Sequence, residues 1–479
     1  MNSPRIPSTV LNLAFSLLLG VMFSSRVCAA EVTVDTARLF QTIEGFGTCL
    51  ISWEPDMGEY YKKPEAIRNY ADDLRFNILR CSIWGEGTIP LTEDASKISY
   101  RDPEFAKTDP RTPVFLQFGK ALLKANPKAK IIGTVWSPPA WMKENNSIKD
   151  QAAGGIDGNS YDSDKGEIFN RVKKEFYPHF VQWMVEMARY YQSNGVPLYA
   201  LSVANEPQFT QGFESCVWTA EDLAKVTGLL ADALAKAHLD VKTFGPETMT
   251  GFNWPSGPNF AYTKTLRENT SAFKSLAFFA THGYSDGLNA DMSQNSSAQF
   301  WQIIKDDHRP YWVTEGGTGD HQLPGAISEK GVGAAIHNAF VAGNASAFVP
   351  WQFAEGSESE HALMLTSGMT KKTQVVRHYS RYIAAGSVRV GATPEYGDVK
   401  TSAYVNEAAK TVTVVLLNPT EEEQKITLTL KGSLAPRSLQ VVRTTAEEDF
   451  KTLPPVAMTG GKASFTMPKQ SIVTLTNAK

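Results

Sequence analysis

The chain has 479 residues, 42% of them hydrophobic and 20% charged, which is enough for a large barrel with an accessory domain, or for two or three smaller domains. A formal net charge of −3, with no block of Lys and Arg, offers no field for a polyanion. Nucleic acid is therefore excluded as a partner, and a neutral or weakly charged substrate is expected.

The N-terminus runs from a charged stretch ending at Arg5, through an apolar run from Val10 to Phe23, to small residues closing at Ala30. These are the parts of a secretory signal, so residues 1–30 are expected to be a signal peptide cleaved after Ala30, and the protein secreted or periplasmic. The apolar run is too short for a membrane span and nothing downstream approaches one. Cys49, Cys81 and Cys216 then remain, too sparse for a disulfide framework and without the spacing of a zinc site. They read as packed thiols, with a Cys49–Cys81 disulfide conceivable between neighbouring strands.

Residues 43–385 alternate short apolar runs with longer helical patterns. The strands are expected at Ile43–Leu50, Asn77–Ile83, Lys130–Val135, Leu198–Ala204, Lys242–Gly245, Leu276–His282, Tyr311–Thr314 and Ala345–Trp351. Between them the spacing predicts helices over Thr112–Ala125, Lys173–Asn194, Ala220–His238, Ser297–Asp307 and Lys330–Ala342. Eight such units predict a closed (β/α)8 TIM barrel. An open dinucleotide-binding sheet is disfavoured, because Leu50 stands where the third glycine of a phosphate loop belongs.

Residues 386–479 change to alternating β-rich runs at Val399–Val405, Thr411–Leu417, Ile426–Leu430, Leu439–Arg443 and Ser471–Leu475, which predict an antiparallel β-sandwich side domain. The alternating Glu31–Val34 segment, within residues 31–42, is expected to cross over and pair with it. No Gly/Ser-rich or Pro-rich linker separates the two parts.

Side chains at the C-terminal strand ends of such a barrel converge on one face. Here those ends carry Arg80, Trp136, Asn205-Glu206, His282 with Tyr284, Glu315 and Trp351. Glu206 and Glu315 follow strands four and seven, on opposite sides of the ring, where their carboxyls can oppose each other. Glycosidic cleavage needs that arrangement, with one carboxyl to protonate the leaving oxygen and the other to attack the anomeric carbon. Glu206 reads as the acid/base and Glu315 as the nucleophile, held ionised by Arg80 and Tyr284. Flat rings at Trp136, Trp141, Trp218, Tyr284 and Trp351 suit the C–H faces of sugars, although Trp141 and Trp218 lie in loops where plain packing serves equally well. The His residues show no HExxH and no i, i+4 pair, so no metal and no cofactor is expected.

The motifs Ile43–Gly47, Trp136–Ala140, Ser202–Pro207, His282–Tyr284 and Trp312–Gly317 together resemble glycoside hydrolase family 30, and the likeness runs from about Glu31 to the C-terminus. The resemblance implies the same pair, Glu206 as acid/base and Glu315 as nucleophile. It further implies Asn205 at the sugar 2-hydroxyl, Arg80 and Tyr284 holding the nucleophile, and Trp136, His282 and Trp351 around the attacked sugar. Within that family the chain looks more similar to the bacterial endo-xylanases than to the glucosylceramidases. Members specific for glucuronoxylan carry arginines after the eighth strand, whereas this chain has Glu355, Glu358 and Glu360 there, which would repel a glucuronate.

The expectation is a retaining, endo-β-xylanase-like glycanase acting as a monomer on a polysaccharide or oligosaccharide. An endo-β-1,6-galactanase or β-1,6-glucanase, an exo-acting glucosylceramidase-like β-glycosidase and a non-catalytic carbohydrate-binding protein stand as alternatives.

Overall fold

The structure, a computed structural model, describes residues 28–479 except 53, 87–88, 90, 106–110, 150–160, 163–166, 169, 211, 251–259, 285–287, 289–294, 318 and 435. The predicted signal segment therefore lies outside the described residues, apart from its last three positions. Among the described residues no helix is long and apolar enough to cross a membrane.

Eight parallel strands close on themselves. In chain order they are Gly45–Cys49, Ile78–Trp84, Lys130–Ser137, Ala200–Ser202, Lys242–Thr248, Leu276–Gly283, Tyr311–Gly316 and Ala347–Phe348. Each pairs with the next, and the eighth returns to the first through Ala347 opposite Gly45. They are buried almost throughout, as strands sandwiched between an interior and a ring of helices must be. The helix over Thr112–Ala125 has the predicted bounds. The next runs Tyr177–Ser193 and lays Phe180, Met184, Met187 and Tyr191 against the sheet.

One face of the strands supplies a packed interior of Ile78, Ile132, Ala200, Phe244, Phe278, Ala280, Trp312 and Ala347, with the Phe278 and Trp312 rings stacked at 3.8 Å. Successive side chains on one face of a strand are two residues apart. The pleat above this floor therefore presents Arg80 over Ile78, Thr134 over Ile132 and His282 over Ala280, aimed at the barrel mouth. That alternation converts strand registry into a polar site seated on an apolar plug.

The side domain is a nine-stranded sheet wrapped around its own core, which includes Val32, Val34, Val390, Val414, Leu428 and Leu475. Cys28–Thr42 lies inside this sheet, antiparallel to Val388–Thr393 and parallel to Gln424–Lys431. The sheet is thus mixed at this one strand instead of wholly antiparallel. The strand begins at Cys28, ahead of the cleavage position expected after Ala30.

The two parts are joined by buried polar contacts. His378, on the last barrel helix, bonds Thr474 through Nδ1 and Thr444 through Nε2. Arg389 donates to Gln41 at 2.9 Å, and the Gln41 amide donates to Phe340 and Ala345 carbonyls.

Cys49, Cys81 and Cys216 are buried thiols outside any disulfide, so the conceivable Cys49–Cys81 disulfide does not form. Cys49 is registered opposite Arg80, and the residue after Arg80 points to the other face of the sheet.

Candidate active site

Arg80, from the second strand, is fully buried and each end of its guanidinium is engaged. Nη1 donates to Glu315 Oε1 at 2.5 Å and Nη2 to Asn205 Oδ1 at 2.7 Å. Nε donates to Thr134 Oγ1 and to Glu247 Oε1, both at 3.2 Å. This planar fork fixes four side chains at once, which the single ammonium of a lysine could not do. Because the Asn205 oxygen accepts from Arg80, its amide NH2 is the group left to donate elsewhere.

Glu206 and Glu315 come together as the sequence predicts. Glu315 Oε2 accepts from the Tyr284 hydroxyl at 3.0 Å. His282 Nδ1 lies 2.9 Å from Glu206 Oε1 and 3.4 Å from Glu315 Oε2, so one ring nitrogen bridges the two carboxyls. Ligating atoms of Glu206, His282 and Glu315 all lie within 4.8 Å of one another.

Below the pair sits Glu247, a residue that the sequence reading passed over. It lies near the end of the fifth strand, two residues beyond the expected stop at Gly245, and is fully buried. Oε1 meets Arg80 and lies 3.8 Å from His282 Nε2, and Oε2 accepts from Thr134 Oγ1 at 2.8 Å. Its main chain is tied to the acid/base candidate, since Glu206 N donates to Glu247 O at 3.1 Å. Both residues have left-handed backbone, with φ of 47° at Glu206 and 56° at Glu247. Non-glycine residues hold that conformation at a cost of order 1–3 kcal/mol each, and it concentrates at functional sites.

Burial would neutralise every charge here, and the pairing decides which survive. Burial raises the Glu206 pKa, and the Glu315 charge adds to this against the opposing effect of His282. Burial also works against charge on His282, yet the charge of Glu315, the bond to Glu206 and the nearby Glu247 carboxylate override it and lift the imidazole to about 9. Glu247 is held below the usual carboxylate range because Arg80 and His282 outweigh its desolvation. At neutral pH the cluster therefore contains two cations, Arg80 and His282, against the carboxylates. It is neutral overall when Glu206 is the carboxyl that keeps its proton. With both ring nitrogens protonated, His282 donates to Glu206 Oε1 and directs the carboxyl proton to Oε2.

The aromatic wall is a stack. The Trp136 ring lies 5.3 Å from Trp84 and 5.5 Å from Trp351, and Arg80 sits over Trp136 at 4.6 Å and Trp351 at 5.8 Å. Trp84 was not singled out from sequence, because it lies just past the expected end of its strand. Two loop tryptophans stay outside this wall. Trp218 is buried in the core against Tyr177 and Phe180, away from the Trp84–Trp136–Trp351 stack. Trp141 packs on Phe176 and His179 and donates Nε1 to Ile89 O at 3.0 Å.

Comparison with known proteins agrees with this architecture. Residues 386–475 match the glycosyl hydrolase family 30 beta sandwich domain. The chain is 25% identical to glucuronoxylanase XynC of Bacillus subtilis (strain 168), over 87% of this chain and 85% of that protein. In fold it is similar to the family 30 subfamily 8 xylanase Xyn30A of Clostridium acetobutylicum (TM-score 0.72, 20% identity, 93% of this chain and 99% of that one). It is also similar to the endo-beta1,6-glucanase BT3312 (TM-score 0.65, 17% identity, 95% of each chain). A closed barrel with opposed buried glutamates and this side domain define a glycoside hydrolase. Within that class the chain resembles the xylanases of glycoside hydrolase family 30, in sequence through XynC and in fold through Xyn30A.

Proposed function

We propose that the protein is an exported, retaining β-glycanase that cleaves a neutral xylan-like polysaccharide internally, with Glu206 as acid/base and Glu315 as nucleophile. The observation that carries this reading is the closeness of the two carboxyls, whose oxygens come within 4.8 Å. Retaining enzymes hold their carboxyls ~5–5.5 Å apart, whereas inverting ones leave ~6.5–9.5 Å for a water.

In the first step Glu206 gives its proton to the glycosidic oxygen as that C–O bond breaks, and Glu315 attacks the anomeric carbon to form a glycosyl ester. In the second, Glu206 takes a proton from water, the water oxygen bonds to the anomeric carbon, and Glu315 leaves as carboxylate. Tyr284 and Arg80 stabilise that carboxylate in both directions, and the free NH2 of Asn205 meets the 2-hydroxyl. Trp136 and Trp351 provide the apolar wall for the sugar.

The xylan reading rests on the likeness to XynC and Xyn30A. Neutrality of the substrate rests on the loop after the eighth strand, which carries Glu355, Glu358 and Glu360. A β-1,6-glucan is the second reading, favoured by the likeness to BT3312. Digestion of unsubstituted β-1,4-xylan and of β-1,6-glucan, with early products sized, tests the choice. A ladder of xylo-oligosaccharides is expected. Release of monosaccharide alone would overturn internal cleavage, and activity confined to β-1,6-glucan would overturn the xylan assignment.

A further inference from the structure

We propose that Glu247 is the positioning residue of this site, a third carboxylate beneath the pair that holds Arg80 against Glu315 and His282 against Glu206. The inference rests on the roles proposed above for Glu206 and Glu315.

Geometry makes the case. Arg80 and His282 both donate directly to the pair, and among the described residues Glu247 Oε1 is the acceptor that approaches the far side of each, at 3.1 Å from Arg80 Nη2 and 3.8 Å from His282 Nε2. Thr134 secures the other oxygen at 2.8 Å, so the carboxylate cannot turn away from the two cations. Its main-chain carbonyl also anchors the Glu206 amide. Glu247 is fully buried and lies below the pair, out of reach of a sugar, so it acts through its neighbours and not on substrate.

Charge balance gives it a second task. With Glu315 and Glu247 ionised, Arg80 and His282 are matched one for one, and the proton on Glu206 completes a neutral buried cluster. Without the Glu247 charge the site would carry an excess positive charge. Both His282 and Glu206 would then lose their protons at lower pH.

The test is Glu247→Gln, an isostere, with Glu247→Asp beside it, assayed on unsubstituted β-1,4-xylan across pH. Glu247→Gln is expected to lower kcat on the order of 10²-fold, the scale of a small misplacement of catalytic groups, with KM little changed. It should also move the alkaline limb of kcat/KM to lower pH. Glu247→Asp keeps the charge and should keep the limb near its wild-type position while losing part of the rate. Unchanged kcat and an unmoved limb in a folded Glu247→Gln protein would overturn the proposal, as would a uniform loss of activity in both variants with no limb displaced. If Glu247→Gln fails to fold, the limb in Glu247→Asp decides: a wild-type position supports the charge role, and an acid displacement contradicts it. A wild-type-like Glu315→Ala enzyme would instead sink the assignment of the pair, whatever Glu247 does.

Discussion

His282 Nδ1 stands 2.9 Å from Glu206 Oε1, and this contact sets which carboxyl oxygen can offer a proton to substrate. The imidazole pKa is lifted to about 9, burial being overridden by Glu315, Glu206 and Glu247. A raised folded pKa contributes stability that is fully present below the unfolded value of ~6.5 and is lost as pH rises through 9. The melting temperature should therefore fall between about pH 6.5 and 9, and His282→Gln should flatten that decline. The variant should also lose roughly 10²-fold in kcat, the scale of general acid assistance. An unaltered Tm profile together with unaltered kcat would contradict the bridging role.

Arg80 is a stronger structural commitment, because it is buried with two carboxylates and an amide around it. Replacing it by Met leaves Glu247 and Glu315 without their cation, an uncompensated burial that costs about 3–5 kcal/mol. Arg80→Lys keeps the charge but cannot reach Glu315, Asn205 and Glu247 together. Chemical denaturation should place Met well below Lys in stability, while both variants lose most of their turnover. Equal stability of the two would mean that charge matters less here than shape.

The acidic loop after the eighth strand makes a prediction about substituents. Ser359 Oγ donates to Glu355 Oε1 at 2.8 Å, and Lys372 Nζ donates to Glu360 O at 2.7 Å, so the segment is tied down. A glucuronate brought to this loop meets like charge. Initial rates on unsubstituted xylan should equal or exceed those on glucuronoxylan of similar length. A marked preference for glucuronoxylan would contradict this reading of the loop.

Acid lability should arise at the junction of barrel and side domain. Burial lowers His378 to about 3, and His337 likewise to about 3. His378 lies between Thr444 and Thr474, and His337 bonds the Glu395 carbonyl at 2.8 Å. A depressed folded pKa gives stability that is present above ~6.5 and is lost as pH falls toward 3, on the order of a few kcal/mol per residue. Unfolding monitored from pH 7 to 3 should show this loss, and a His378→Gln variant should show less of it. Identical acid profiles would contradict it.

The barrel was readable because each buried strand is an apolar run followed by a patterned helix. Glu206 and Glu315 stood out because they close strands four and seven. Glu247 escaped for a local reason: Pro246 reads as a strand stop, yet the strand continues through Thr248. The same rule concealed Lys451–Ala457, which contains Pro454 and Pro455. It lies at one edge of the side sheet, where missing N–H donors are tolerated, and the polar Lys462–Met467 strand lies at the other. Trp218 shows a different limit, since an aromatic in a loop carries no mark of whether it faces sugar or core, and this one packs on Tyr177 and Phe180. The bridging of His282 between two carboxyls depends on register across strands four, six and seven, which no single segment encodes.

The double-displacement mechanism with Glu315 as nucleophile is tested most directly by trapping the glycosyl ester. The protein would be incubated with a 2-deoxy-2-fluoro β-xylobioside bearing a good leaving group, digested, and its peptides read by mass spectrometry. The account predicts one added disaccharide on the peptide containing Glu315, absent from Glu315→Ala. An active enzyme that gives no adduct, or one labelled at Glu206 or elsewhere, would contradict it.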